Sequence, residues 1–132
     1  MSITYINPDD MYRSAVFSQG IVLPANARLL LVGGQNGVNE KGEVVDKGDV
    51  ARQTARALAN MQKVLRAAGA SIADLVKVTI ILHHDADLQA GFAEWMKLWG
   101  TNTNPPTVTA LRVAGFANPD VLIEIEAQAV LP

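Results

Sequence analysis

The sequence predicts an α+β fold, one mostly antiparallel sheet with two helices packed on a single face. Two segments repeat apolar residues at steps of three and four, the helical period. The remaining patterned segments alternate with period two, as half-buried strands do. The resulting order, β-β-α-β-α-β-β, interleaves runs of strands with two helices, the pattern of a two-layer sandwich. The 132 residues have the size of one domain, residues 1–132, with an ordinary 49% apolar and 18% charged content.

The first two strands are read over Ser14 to Leu23 and Arg28 to Val32, joined through Pro24-Ala25-Asn26. Asn36 to Lys47 contains Gly and Asn and reads as loop. Asp49 then offers an N-cap for a helix whose inner face carries Val50, Thr54, Leu58, Met61, Leu65 and Ala68, with Gly69 placed for a left-handed end. Arg52, Arg56, Gln62, Lys63 and Arg66 fall mainly on the wet face. In the third strand, Leu75 to Leu82, Val76, Val78, Ile80 and Leu82 oppose Leu75, Lys77, Thr79 and Ile81. Either Asp85 or Asp87 can cap the second helix, which carries Leu88, Phe92, Trp95 and Trp99 and stops at Gly100. Gly91 weakens that helix by about 1 kcal/mol relative to Ala. Thr107 to Val113 follows Pro105-Pro106 as a strand. Val121 to Leu131 is the last strand, with Val121, Ile123, Ile125, Ala127, Ala129 and Leu131 on its apolar face.

Helices on one face leave the other face of the sheet unexplained. It carries Glu124, Glu126, Gln128, Lys77 and Thr79, but also Leu75, Ile81 and Leu122. Such a mixture fits a solvated surface or contact with another subunit, and periodicity does not choose between them.

Composition excludes several classes. A net charge of −2 with no basic run offers no nucleic-acid footprint. The absence of cysteine removes disulfides, thiolate metal sites and a thiol nucleophile. The apolar runs are too short for a membrane span, and the first residues lack the basic start and apolar stretch of a signal peptide, so a cytoplasmic setting is expected. No cofactor and no metal is expected.

Five stretches together resemble the Rid (reactive intermediate deaminase, YjgF-type) family, some members of which are labelled endoribonucleases. Phe17-Ser18-Gln19 resembles its "YSQ", and Val32-Gly33-Gly34-Gln35 its "vSGQ". Gln53 to Gly69, with Asn60-Met61-Gln62-Lys63-Val64-Leu65, resembles the "Q…NvkaiLeaaG" helix. Asp74-Leu75-Val76-Lys77-Val78-Thr79 resembles "dvvKtTvf", and Val121 to Ala129 resembles the closing "vEiEaiA". The agreement runs over nearly the whole chain. It implies a chorismate-mutase-like fold and a homotrimer with small-molecule clefts built from two chains at the subunit boundaries.

In the deaminase branch, the resemblance implies an arginine that pairs with the carboxylate of a 2-imino acid, backbone donors that hold the imine, and a glutamate that positions water. Carried over residue by residue, the glutamate is Glu124. The arginine position is Val108 and the cysteine often found two residues on is Ala110. The tyrosine position is Phe17, the serine position Gly33, followed by Gly34 and Gln35, and the asparagine position on the second helix is Phe92. A valine supplies none of the five donors of a guanidinium, so weak action on simple 2-imino acids is expected.

Each of these residues also has a plain structural reading. Glu124 alternates on a sheet face as Glu126 and Gln128 do. Arg112 shares a strand face with Val108 and could replace the arginine, but it stands roughly 13 Å further along an extended strand. His83 and His84 are adjacent on an extended segment and should point to opposite sides, marking a strand end with one half-buried and one wet. Trp95 and Trp99 fit core packing. Two functions remain open: a hydrolase acting on a small neutral imine or enamine with Glu124 positioning water, and a small-molecule-binding trimer that does no chemistry. RNA cleavage finds little support, without a basic stripe or a suitable histidine pair.

Overall fold

The computed structural model describes residues 2–132. Its strands are β1 (Thr4–Ile6), β2 (Gly20–Val22), β3 (Leu29–Gln35), β4 (Leu75–His83), β5 (Thr107–Val113) and β6 (Ile123–Val130). Helices α1 (Val50–Ala67) and α2 (Leu88–Trp99) flank β4, which a 3-10 turn at Ile72–Asp74 introduces. The main sheet runs β3-β6-β4-β5, antiparallel except for the parallel pair β4–β5 that α2 connects, and the α+β reading stands.

The expected first strand is the principal correction. Only Gly20–Val22 of Ser14–Leu23 is strand, and it pairs with Thr4–Ile6, a strand the alternation did not reveal, in a separate two-stranded sheet. Local polar groups take the backbone donors that a longer strand would need. Ser14 Oγ accepts from the Val16 N–H, and Asn7 Oδ1 from the Gln19 N–H. The Ser18 N–H donates to the Pro106 carbonyl at 3.0 Å and its hydroxyl to that of Pro105 at 2.6 Å. Such bonds compete with ladder formation. They also strap residues 16–19 to the entrance of β5.

Both helices start and stop where the sequence indicates. Asp49 accepts from the Arg52 N–H, while Asp87, of the two candidates, accepts from the N–H groups of Gln89 and Ala90. Gly69 and Gly100 have φ of 78° and 60°, the left-handed region in which a Cβ is disfavoured. The helices cover the sheet face formed by Val78, Ile80 and Leu82 of β4 opposite Ala127, Ile125 and Ile123 of β6. Trp95 and Trp99 are buried in this layer with ring centroids 5.6 Å apart.

Two polar side chains of α1, Gln53 and Thr54, are enclosed within it, and Thr54 Oγ1 donates to the Val50 carbonyl of its own helix. Gln53 is fully buried on α1; its Nε2 donates to the carbonyls of Asp46 and Asp120, and its Oε1 accepts from the Leu122 N–H at 2.8 Å. Two turns along the same helix face, Asn60 Nδ2 donates to the carbonyls of Asn36 and Val38. Together they hold the loop after β3 and the entrance to β6 against α1. Burial multiplies the consequence, because a buried backbone group left without its partner costs about 1–3 kcal/mol. Gln53→Leu should therefore lower unfolding stability by at least about 2 kcal/mol. Thermal denaturation at fixed protein concentration checks this: a midpoint drop of roughly 5–10 °C is expected, and an unchanged midpoint would show that the three backbone groups find other partners.

Candidate functional site

Register divides the positions singled out above between the two faces of the sheet. Val108 and Ala110 pair with Val78 and Ile80, placing them on the helix-covered face, whereas Glu124 pairs with Ile81 on the opposite face. Phe17, Phe92, Val108 and Ala110 come together, and with Val16 and Gln89 they border an open groove of about 380 Å³ between α2 and β5. Glu124 is not among them. The expected picture of a carboxylate surrounded by Phe17, Phe92, Val108 and Ala110 does not form within one chain.

Glu124 is grouped instead with the glycines at the end of β3. The β3–β6 ladder passes from Val32–Ala127 to Gln35–Ile125, so Gly33 and Gly34 together oppose the single residue Glu126. This is a β-bulge, which re-aims the groups beside it. The Gln35 side chain spans it, donating from Nε2 to the Gly33 carbonyl at 3.1 Å. A Cβ on Gly34 would lie 2.7 Å from both Cδ and Oε1 of Glu124, so the glycine is what leaves room for the carboxylate. Glu124 is half-buried there, while Glu126 is exposed. Gly33 has open space where its Cβ would be.

Arg112 does not serve the groove. Its Nη1 donates to the carbonyls of His84 and Ala86, tying the end of β5 to the turn that precedes α2. His83 and His84 depart from the expected opposite orientation: their rings stack with centroids 4.6 Å apart. The cause is that β4 ends at His83 and the chain turns at once, with His83 Nδ1 accepting from the Asp85 N–H. His83, His84 and Asp85 each bring a metal-competent atom to within 4.8 Å of the others. His84 Nδ1 is already paired with Asp85 at 2.9 Å, and the Arg112 guanidinium beside the turn opposes a cation.

The residues that position the site were not singled out in advance. Gln53 and Asn60 fix the loop leaving the bulge, and Ser18 fixes Phe17 over β5. The signal was present, since Gln53 and Asn60 both lie in the motif quoted for α1 and sit seven residues apart on one helix face.

Comparison with known proteins fits this architecture. The endoribonuclease L-PSP family model matches residues 9–131, and the chain belongs to that family, the Rid/YjgF family. A RutC family protein of Pyrococcus abyssi is 36% identical over 114 residues, 86% of this chain and 84% of that protein. The 2-iminobutanoate/2-iminopropanoate deaminase of Escherichia coli is 34% identical over 116 residues, 86% of each. Among solved structures, the Rid-family protein YyfB of Yersinia pestis superposes with a TM-score of 0.84 at 33% identity, covering 99% of this chain and 100% of that one. No helix among the described residues is long and apolar enough to cross a membrane.

The bulge geometry yields a direct test. In Gly34→Ala the three atoms nearest the new methyl group, Cδ, Oε1 and Cγ, all belong to the flexible Glu124 side chain, so the carboxylate should move and the fold stay. The stability loss should not exceed about 1 kcal/mol, the low end for overpacking. A crystal structure of the variant should show the Glu124 carboxylate displaced from its place beside residue 34. An unmoved carboxylate with a distorted β3 would mean that the bulge, not the side chain, is the softer element.

Proposed function

We propose that the protein is a homotrimer whose clefts, shared between neighbouring copies, hydrolyse a small uncharged imine or enamine. The observation that carries this reading is the division of the family's site positions between opposite faces of one sheet. Neither half is a site by itself. The groove of Phe17, Phe92, Val108 and Ala110 supplies shape, and Glu124 beside the Gly33-Gly34 bulge supplies the charge. A second copy that brings its Glu124 face against the groove completes both halves at once. The number three comes from the family resemblance, and the cytosolic setting expected from the sequence belongs to the same reading.

In this cleft Glu124 accepts a proton from water as the oxygen adds to the imine carbon, and returns it to the nitrogen to give a carbinolamine. A second proton then moves through Glu124 from the new hydroxyl to the amine nitrogen as the C–N bond breaks, releasing ammonia and leaving the carbonyl product; an enamine first takes up a proton on carbon to become the imine. Relatives named 2-iminobutanoate/2-iminopropanoate deaminase suggest imine chemistry, but among the described residues the groove offers no cation for a carboxylate. Among the described residues bordering it, only Gln89 and the Trp95 indole carry polar side-chain groups, and Arg112 is engaged elsewhere. Loss of a buried charge partner costs about 2–5 kcal/mol, enough to suppress such substrates. The same sparse polarity supports a second reading, a trimer that binds a metabolite without converting it. RNA cleavage finds little support: Arg52, Arg56 and Lys63 share one shallow depression on α1, but Arg52 and Arg56 are paired with Asp49 and Asp46 and no histidine lines it.

Light scattering should give about three times the 14.1 kDa chain mass; a monomer at micromolar concentration would defeat the shared cleft. Hydrolysis of 2-iminobutanoate and 2-iminopropanoate should stay near background, and rise in Val108→Arg if the cation is what is missing. Robust turnover by the unaltered protein would overturn the uncharged-substrate reading. With a ligand in hand, Glu124→Gln should reduce binding or turnover at least tenfold while Glu126→Gln does not. Identical behaviour of the two would leave Glu124 as an ordinary polar residue of the sheet face.

A further inference from the structure

Behind the groove the helix layer is not completely filled. A second, mostly enclosed space of about 30 Å³ lies between α2 and the sheet, lined by Thr54, Gly91, Leu82 and Ile123 among others, almost without polar surface. It shares Val78, Ile80, Leu88, Phe92 and Trp95 with the outer groove, so these side chains form the wall between the two. Two of them, Leu88 and Phe92, are 39% and 38% exposed and stand one helical turn apart on α2, where they can turn outward without disturbing the core.

Gly91 explains why the space exists. A glycine inside a helix costs about 1 kcal/mol relative to alanine, and this one is buried with an ordinary backbone conformation, so no turn requires it. A Cβ here would project toward α1, 3.3 Å from Thr54 Oγ1 and 3.9 Å from Ile123 Cδ1. The Thr54 hydroxyl is turned away into a 2.7 Å bond to the Val50 carbonyl, leaving no free donor for a ligand on that side. A space of this size admits a water, but it offers no set of polar partners to hold one.

We infer that this inner space is a side-chain subsite, and that the ligand of the outer groove carries a short aliphatic chain, of propyl or isobutyl length, whose last one or two carbons pass Leu88 and Phe92 to enter it. This rests on the uncharged-ligand reading above and adds the substrate class: a neutral imine, enamine or carbonyl compound with an aliphatic chain. Gly91 is then a specificity-determining residue, setting how deep the chain can reach.

Tryptophan fluorescence reads the subsite directly, because both tryptophans lie on α2 and Trp95 borders both spaces. The probes are the neutral amides acetamide, propionamide, butyramide and 3-methylbutanamide, each with its matching carboxylate, titrated into the full-length protein. Affinity should rise roughly fourfold per added carbon up to butyramide or 3-methylbutanamide and then level off, with amides at least tenfold tighter than carboxylates. Gly91→Ala should flatten the series, so that butyramide and 3-methylbutanamide lose their gain relative to acetamide measured on the same variant. If that variant fails to fold, the chain-length series on the unaltered protein decides alone. Amides that bind equally at all lengths would overturn the subsite and leave the uncharged-ligand reading intact. Carboxylates binding more tightly than amides would overturn that reading itself. No saturable fluorescence change with any probe up to 50 mM would also overturn the subsite.

Discussion

Gln53 connects the parts of the molecule that the site depends on. It is enclosed on α1, with its amide holding the carbonyls of Asp46 and Asp120 and the N–H of Leu122. Those groups belong to the loop after β3 and to the segment entering β6, two regions far apart in sequence. Gly37 lies so close that a Cβ there would sit 2.9–3.1 Å from the Gln53 Cγ, Cβ and Cα atoms. The chain leaving the Gly33-Gly34 bulge is thus pressed directly onto α1. Fixing Leu122 also fixes the phase of β6, and a one-residue slip would exchange its two faces. Ile123 would then face outward and Glu124 would be driven under the helices. The amide thus reinforces the phase that the β3 and β4 ladders and the buried Ile123, Ile125, Ala127 and Ala129 already impose on β6.

The same phase separates shape from charge. On the helix side, β5 presents Val108 and Ala110 to a groove roofed by Phe17 and Phe92, and the inner space behind Phe92 extends it. On the other side, Glu124 stands beside a bulge whose glycines bring backbone close to it. The outer sheet face keeps Leu31 70% exposed beside Lys77, Thr79 and Glu126.

Periodicity made the helix-covered half of the fold legible. The caps at Asp49 and Asp87, the stops at Gly69 and Gly100, and the alternation of β6 and of β4 from Lys77 onward all arise from local chemistry and from one dominant buried face. At the start of β4 the expected faces are reversed: a register shift between Leu75 and Lys77 pairs Leu75 with Ala129 and puts it in the core. What escaped depends on contacts distant in sequence. Residues 16–19 look like strand until Ser18 is seen bonded to Pro105 and Pro106, some 87 residues away. β1 is three residues long, too short for a period to show. The histidine pair misled because alternation holds only while a strand continues, and β4 stops at His83. The candidate site was recognisable as a set of positions through the family motifs. That it falls into two sets was implicit in the odd and even numbering of β6 against β5, but only the pairing register fixes which faces coincide.

The central claim, that one chain holds two halves of a cleft completed by a second chain, can be measured without knowing the ligand. The chain has no cysteine, so introduced thiols are unambiguous. Gly33→Cys marks the Glu124 side, at a position with room for a side chain, and Gln89→Cys marks the exposed edge of the groove. The double variant treated with a short bismaleimide should give covalent dimers and trimers on a denaturing gel, while each single variant stays monomeric. Double-variant chains that remain monomeric, or are joined only within themselves, would contradict the shared cleft.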